Sequence, residues 1–143
     1  MRVNADAMTL YAVTDRTWVE DTTLMDQVKE ALEGGITFLQ LREKHLSKEE
    51  FIKEAREMKK LAAQYQIPFV INDNIEVALA VDADGVHIGQ DDMSVEEARK
   101  LLGEDKIIGV SAHNVEEAIK AQKGGADYLG VGAMFPTGTK TDA

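Results

Sequence analysis

Short apolar runs alternate with amphipathic helical patterns along the chain, and this alternation constrains the fold more than any other feature of the sequence. Such alternation favours one parallel sheet whose right-handed crossovers place the helices outside it. Each run has the length of a strand and leads into polar residues. The runs cover residues 10–15, 36–42, 68–73, 85–89, 107–111 and 128–135.

The segments between the runs carry helix signals. Gly34 is placed to end the first helix, because glycine adopts the backbone conformations found at helix ends. Serine or asparagine followed three residues later by glutamate indicates a helix start; the pairs are Ser47 with Glu50, Ser94 with Glu97, and Asn114 with Glu117. Residues at helical spacing predict apolar faces on the first two helices, namely Leu24, Val28, Ala31 and Leu32, and then Phe51, Ala55, Met58 and Ala62.

Two parallel architectures fit this pattern, a closed barrel and an open doubly wound sheet. Neither a G-x-G-x-x-G turn nor a G-x-x-x-x-G-K-[ST] loop follows the first run, which weakens the nucleotide-binding open sheet. We therefore predict an α/β fold of the TIM (β/α)8 barrel family, with about six of the eight βα units in one partial domain, residues 1–143.

A six-stranded sheet of this kind is incomplete as a barrel, and a complete barrel typically needs about 250 residues. An open edge leaves unpaired backbone groups and apolar surface exposed. We expect the 143-residue polypeptide to be a truncated form or part of a longer protein, or to receive the missing wall from a second copy or a complementing chain.

Composition excludes several functional classes. A net charge of −10 disfavours a broad nucleic-acid surface, which needs clustered Lys and Arg. The absence of cysteine excludes disulfides, thiolate nucleophiles and thiolate metal sites. No apolar stretch approaches the roughly 18 residues of a membrane span, and no export signal is present, so we expect a soluble cytoplasmic protein without a membrane or nucleic-acid partner.

The tract QLREK follows the second run and supplies candidate anion-binding groups. Because side chains alternate along a strand, Gln40, Arg42 and Lys44 project to the side opposite Glu43. Arginine can hold phosphate oxygens with two parallel hydrogen bonds, and lysine adds a mobile charge. Taken alone, these cations also fit an ordinary lead into a helix.

Acidic residues follow the third and fourth runs. Asn72 and Asp73 end one run, and Asp91 and Asp92 follow the next. Carboxylates from neighbouring strand ends can share a Mg²⁺ ion, which commonly uses one or two of them with waters and phosphates. Each acidic residue alone also fits a turn or a helix cap.

Ser111 ends the fifth run, and its hydroxyl can bind a phosphate or a departing oxygen. No Ser-His-Asp arrangement is readable from the sequence, so a nucleophilic role has no visible base. His113 fits either an anion contact or a local hydrogen bond. We predict that His87, which lies inside a strand, is a packed core histidine.

The last tract, PTGTK, combines two hydroxyls, a permissive glycine and a cation. Thr137, Gly138, Thr139 and Lys140 can surround phosphate oxygens through side chains and backbone amides, although a simple turn is also possible. Because the chemistry of a TIM barrel gathers at the carboxyl ends of its strands, we expect the polar tracts to form one site.

In this order, QLREK, IND, HIGQDD, GVSAH and PTGTK resemble the thiamine phosphate synthase family over most of the chain. The resemblance implies a TIM barrel that joins hydroxymethylpyrimidine diphosphate to thiazole phosphate with Mg²⁺. It implies that Asp73 and Asp92 hold the metal, that Ser111, Lys140 and Arg42 act in catalysis, and that Asp91 is not a ligand. The implied substrate-binding residues are Gln40, Arg42, Lys44, Asn72, Ser111, Thr137, Thr139 and Lys140.

The implied reaction is a transfer in which pyrophosphate leaves, a carbocation-like pyrimidine remains and the thiazole nitrogen captures it. Family members continue into two further strands that contact thiazole phosphate, and no equivalent occurs here. We therefore expect this chain alone to be weakly active or inactive. Two alternatives stay open: a thiazole tautomerase-like isomerase and a non-catalytic phosphate-binding or assembly module.

Overall fold

The predicted strands form one parallel sheet whose spatial order follows the chain. The computed structural model describes residues 2–138. Five of the six strands lie within the predicted runs, and the fifth in chain order extends one residue beyond its run, to Ala112, so the periodicity-based prediction is confirmed. The strands are β1 (Tyr11–Val13), β2 (Phe38–Leu41), β3 (Phe69–Asn72), β4 (Gly85–Ile88), β5 (Ile107–Ala112) and β6 (Tyr128–Val131).

A helix follows each of the first five strands. The helices are α1 (Leu24–Glu33), α2 (Lys48–Gln64), α3 (Ile75–Val81), α4 (Val95–Leu102) and α5 (Val115–Gly124), and two 3-10 turns cover Ala5–Met8 and Arg16–Trp18. Among residues 2–138, no helix combines the length and the apolar character that a membrane crossing requires.

Side-chain caps begin these helices where the sequence indicates. Ser47 accepts a hydrogen bond from the backbone N–H of Glu50, and Ser94 accepts one from Glu97. Asn114 caps α5 through the Glu117 amide in the same way. Each cap satisfies a donor that a helix start leaves without an intrahelical partner, so the predicted starts of α2, α4 and α5 are confirmed.

The strand order excludes the doubly wound alternative, because that fold reverses its order at a switch point. Here β1 to β6 follow one another without reversal, as in the wall of a TIM barrel. The wall is curled: Tyr11 on β1 and Tyr128 on β6 lie at opposite ends of the sheet, yet their hydroxyl oxygens are 2.5 Å apart.

The two faces of the sheet bury different groups. Apolar side chains on the outer face, such as Leu41, Ile71 and Ile88, pack with the helices in one continuous core. On the inner face, Phe38, Val70 and Ile107 form a separate apolar layer near the amino ends of the strands. Polar inner-face residues follow this layer toward the carboxyl ends, which is where the candidate site lies.

The two larger differences from the sequence-based prediction concern α3 and the end of β6. The sequence patterns do not identify α3, which has seven residues and shows little periodicity, although Asn74 caps its start. The sixth run was predicted to reach residue 135, but β6 ends at Val131 and Phe135 is 82% exposed. A strand next to an open edge has no second neighbour to extend its pairing.

Candidate active site

A cavity of about 540 Å³ opens at the carboxyl ends of the strands on the inner face of the sheet. It gathers polar side chains from all six neighbouring strands or the loops that follow them, as the TIM-barrel interpretation predicts. Its lining includes Tyr11, Gln40, Arg42, Asn72, His87, Ser111, His113 and Tyr128.

Lys44 connects the loop after β2 to the end of β3. Its ammonium nitrogen donates to Asn72 Oδ1 at 2.8 Å and to Asp73 Oδ2 at 2.6 Å. Asn72 is buried, whereas the Lys44 and Asp73 side chains are 38% and 32% exposed. Lys44 of the QLREK tract therefore forms an ion pair with Asp73 of the IND tract at the rim of the cavity.

Asp73 and Asp92 lie close enough for their carboxyl groups to interact. Burial, together with the neighbouring Asp73 carboxylate, raises the pKa of Asp92, although a hydrogen bond donated by the Gly89 amide opposes this shift. The Gly89 N–H donates to Asp92 Oδ2 at 2.7 Å, which fixes one oxygen at the end of β4. The excess negative charge of this pair is what a divalent cation would neutralise.

The carboxylates of Asp73 and Asp92 offer oxygen donors, which hard divalent cations prefer. Within residues 2–138, no three or more His, Asp and Glu side chains converge as a ligand set. Mg²⁺ is commonly held by one or two carboxylates and completes its shell with water and phosphate oxygens. The donor set formed by Asp73 and Asp92 suits that mode.

Arg42 lies at the cavity wall and is available to an anionic ligand. Its side chain is partly buried, and no hydrogen bond or ion pair to its guanidinium is found within residues 2–138. The same charge contributes to lowering the pKa of exposed Asp15, after the larger effect of hydrogen bonds from Thr17. A guanidinium aimed at a cavity without a bound carboxylate can hold phosphate oxygens.

Gln40 lies deeper in the cavity and is buried. Its Oε1 accepts a hydrogen bond from Asn72 Nδ2 at 2.8 Å, and its Nε2 donates to the Tyr11 hydroxyl at 2.7 Å. Both ends of the amide are thereby oriented. Burial raises the pKa of Tyr11 to about 12, and it raises the pKa of Tyr128 as well, so both phenols keep their protons.

His87 and Ser111 form the far wall of the cavity. His87 Nδ1 lies 3.0 Å from the Tyr128 hydroxyl, and His87 Nε2 lies 2.8 Å from Ser111 Oγ. His87 is buried, which confirms the prediction of a packed histidine, but its ring also contacts the cavity. Ser111 is partly exposed at the end of β5, as predicted.

Two glycines make room for these rings. A Cβ on Gly109 would lie 2.0 Å from Cζ of Tyr128, and a Cβ on Gly130 would lie 3.2 Å from Cε1 of His87. The first distance is far below any van der Waals contact, so β5 needs glycine where the tyrosine ring crosses it. The small residues of the last two strands are thus part of the construction of the site.

The remaining candidate residues differ in their surroundings where the structure describes them. Thr137 lies in an exposed segment after β6, while Thr139 and Lys140 lie outside the described residues. His113 lines the cavity, and its Nδ1 lies 3.0 Å from a Glu117 oxygen, which is the predicted local hydrogen bond. The predicted anion contact of His113 stays a prediction. Asp91 is exposed.

The sequence interpretation missed Tyr11 and Tyr128 as members of the site. A signal existed, because each lies at an inward position of its strand, two residues before another cavity-lining position, Val13 and Gly130. What the sequence does not reveal is that the curled sheet brings the two ends together. Tyr11 also stacks on Phe38, with ring centroids 4.6 Å apart.

Known proteins are similar to this chain over nearly its whole length. The family model described as thiamine monophosphate synthase matches residues 10–143. The chain belongs to the thiamine monophosphate synthase family. It is 55% identical over 133 residues to thiamine-phosphate synthase of Shouchella clausii, covering 93% of this chain. It is 54% identical over 134 residues to the Clostridium acetobutylicum protein of the same name, covering 94% of this chain.

The chain spans 64% of the length of both relatives. Among solved structures, thiamine phosphate pyrophosphorylase from Pyrococcus furiosus matches with a TM-score of 0.85 and 41% identity, over 93% of this chain and 64% of that one. The predicted fold class, with about six of eight units, is thereby confirmed.

A more distant structure supports the fold alone. Dihydrodipicolinate synthase from Oceanobacillus iheyensis matches with a TM-score of 0.50 at 19% identity, over 65% of this chain and 38% of that chain. This likeness shows a shared fold, and a shared fold by itself does not indicate a shared function.

Proposed function

We propose that this chain forms the pyrimidine-diphosphate side of a thiamine phosphate synthase, a transferase that joins hydroxymethylpyrimidine diphosphate to thiazole phosphate and releases pyrophosphate. The observation that supports this most strongly is the convergence of cationic, amide and carboxylate groups at neighbouring strand ends, in a chain that belongs to this family.

Each residue has a role in this proposal that follows from the chemistry of its side chain. Arg42 and Lys44 stabilise the negative charge that develops on the departing pyrophosphate, and Ser111 donates a hydrogen bond to it. Gln40 and Asn72 orient the polar edge of the pyrimidine and the diphosphate. Lys140, Thr137 and Thr139 contribute further phosphate contacts from the PTGTK segment.

The reaction then needs no protein nucleophile. The carbon–oxygen bond to pyrophosphate breaks first, its electron pair leaves with the pyrophosphate, and the electron-rich pyrimidine stabilises the resulting cation. The nitrogen of thiazole phosphate donates its electron pair to this carbon. Positioning and charge stabilisation account for the catalysis, and one such contact is worth about 3 kcal/mol in barrier.

Magnesium completes the proposed site, with Asp73 and Asp92 as its protein ligands. The carboxylate pair supports this assignment, because its mutual repulsion contributes to raising the pKa of Asp92. When bound, the metal would neutralise part of the diphosphate charge. Residues 1–143 act as one partial barrel domain in the cytoplasm, and further βα units or a second chain complete its wall.

Calorimetry tests the binding half of this proposal. The 143-residue chain is titrated with hydroxymethylpyrimidine diphosphate, with and without Mg²⁺. We expect binding that strengthens by an order of magnitude or more when Mg²⁺ is present, because the metal would neutralise negative charge on both the diphosphate and the carboxylates. Binding that ignores Mg²⁺ would instead favour the tautomerase-like or simple phosphate-binding alternatives.

A chimera tests the catalytic half. The chain is joined to the part of the Shouchella clausii protein that follows its matched region, so that eight βα units are present. We expect thiamine phosphate synthesis by the chimera, little by the chain alone, and a large loss in an Arg42→Met chimera. A folded chimera that binds the diphosphate without turnover would support a binding module instead.

A further inference from the structure

Seven side chains form an unbroken row of hydrogen bonds across the inner face of the sheet. We call this the polar row; its members in order are Lys44, Asn72, Gln40, Tyr11, Tyr128, His87 and Ser111. Successive members are 2.5 to 3.0 Å apart. The row begins at the rim of the cavity near the carboxylates and ends at Ser111.

The first half of the polar row has a direction set by Lys44. An ammonium group only donates, so Asn72 must present its oxygen to Lys44 and its NH₂ to Gln40. Gln40 then presents its oxygen to Asn72 and its own NH₂ to Tyr11. One donor-only group thereby fixes the orientation of two buried amides, which could otherwise rotate by half a turn.

The second half follows from the tyrosine protons. The Tyr11 hydroxyl accepts from Gln40, and the Tyr128 oxygen, 2.5 Å away, can accept the Tyr11 proton. The Tyr128 hydroxyl can then donate its own proton to His87 Nδ1, which lies 3.0 Å away. Both tyrosines are partly buried, and a hydroxyl withdrawn from water without an acceptor costs up to about 1–3 kcal/mol. This direction is therefore favoured over its reverse, which would leave the Tyr11 proton without an acceptor among residues 2–138.

We propose that the polar row runs in this single direction, so that Tyr128 and His87 are positioning residues that present Ser111 to the ligand as a hydrogen-bond donor. His87 accepts at Nδ1 and therefore carries its proton on Nε2, which donates to Ser111 Oγ at 2.8 Å. The Ser111 hydroxyl, which accepts from His87, can then donate its own proton to an acceptor in the cavity.

The arrangement distinguishes Ser111 from the serine of a hydrolase. The 2.8 Å contact between His87 and Ser111 resembles a nucleophile with its base, but a base must accept the serine proton. Here the histidine nitrogen facing Ser111 is a donor. The role of the Ser111 proton toward pyrophosphate rests on the proposed function, whereas the tautomer of His87 is a property of the chain without substrate.

The decisive test is nitrogen NMR of the ¹⁵N-labelled chain without ligand at about pH 8, where a histidine ring is ordinarily neutral. The His87 signals are assigned by their loss in a His87→Gln variant. We expect one tautomer with the proton on Nε2. A proton on Nδ1, or a mixture of tautomers, would overturn the proposal without affecting the proposed function.

Two variants test the parts of the row. Lys44→Met removes the donor-only group at an exposed position, so we expect a mixture of His87 tautomers, while Lys60→Met on the outer surface leaves one tautomer.

Tyr128→Phe removes the donor to His87 Nδ1 and should give the same mixture of His87 tautomers, with about fivefold weaker binding of pyrophosphate in the presence of Mg²⁺. Tyr65→Phe is its matched control.

A single tautomer that persists in the Lys44 variant would show that the direction has another origin and would overturn this part of the proposal. A chemical probe gives an independent outcome, because a fluorophosphonate labels serines that a base activates. We expect no labelling of Ser111. Labelling at Ser111 would mean that His87 accepts its proton, contrary to the proposed direction.

Discussion

Glu43 of the QLREK tract and Glu54 of α2 form a largely buried pair, from which we predict that the stability of this protein depends on pH. The Arg16 Nε donates to both oxygens of Glu43, at 2.9 and 2.7 Å, and Arg16 also pairs with Glu54. The Glu43 and Glu54 side chains are only 4% and 13% exposed. One guanidinium therefore serves two largely buried carboxylates.

The burial of this cluster and its excess of carboxylates over guanidinium groups affect the pKa of Glu54. Burial, followed by repulsion from Glu43, raises the pKa of Glu54 to about 7, and its Oε1 accepts no hydrogen bond within residues 2–138. Between the ordinary glutamate pKa and about 7, the folded state binds a proton more tightly than the unfolded state. Stability is therefore highest at the acid end of this window and falls as pH rises through it.

We predict that Glu54→Gln removes the loss of stability that occurs as pH rises. The raised pKa corresponds to about 3 kcal/mol at most, and solvent around the partly open cluster reduces the expected difference to about 1–2 kcal/mol. The variant should match the wild type at about pH 5 and exceed its stability by that amount at about pH 8.5. Glutamine keeps an oxygen for Arg16 without the charge.

Urea unfolding followed by circular dichroism measures the effect at both pH values. Glu30→Gln on the exposed side of α1 is the matched control, and it should leave the pH dependence as it is in the wild type. If wild type and Glu54→Gln lose the same stability between the two pH values, or if the variant is less stable at the alkaline one, the reasoning about this cluster is refuted.

Three further substitutions test the site and its support. Asp92→Asn should bring the ratio of pyrophosphate affinities with and without Mg²⁺ close to one in calorimetry, and an unchanged ratio would remove Asp92 from the metal site. Arg42→Met should weaken pyrophosphate binding by about 10- to 100-fold, whereas Arg56→Met on α2 should not change it. Gly109→Ala places a Cβ 2.0 Å from Cζ of Tyr128 and should lower the free energy of unfolding by about 1–3 kcal/mol in urea titration; equal stability would contradict the close packing.

Local patterns were sufficient to predict most of the fold. The strand runs and capping residues such as Ser47 and Asn114 act over a few neighbouring residues, so their effects are visible in the sequence. The end of β6 was harder to predict, because it depends on the neighbours of the strand in the sheet. Helix α3 was missed since its seven residues make just under two turns, which is too short for a clear periodicity.

The site was predictable to the extent that strand alternation fixes which side chains point inward. Gln40, Asn72 and Ser111 lie at the inner face as expected, and their side chains belong to one polar row. The contact between Tyr11 and Tyr128 was not predictable from local sequence, because it arises from the curl of the whole sheet. The partnership of Glu43 with Arg16 and Glu54 depends in the same way on packing between separate elements.

The most direct test of the central claim is a crystal structure of the chain soaked with pyrophosphate and Mn²⁺, which substitutes for Mg²⁺ and is located by its anomalous signal. The proposal predicts a metal between the carboxylates of Asp73 and Asp92, with pyrophosphate oxygens on the metal and on Arg42. Pyrophosphate and metal bound elsewhere, with this carboxylate pair unliganded, would contradict the claim that the strand ends form a metal-diphosphate site.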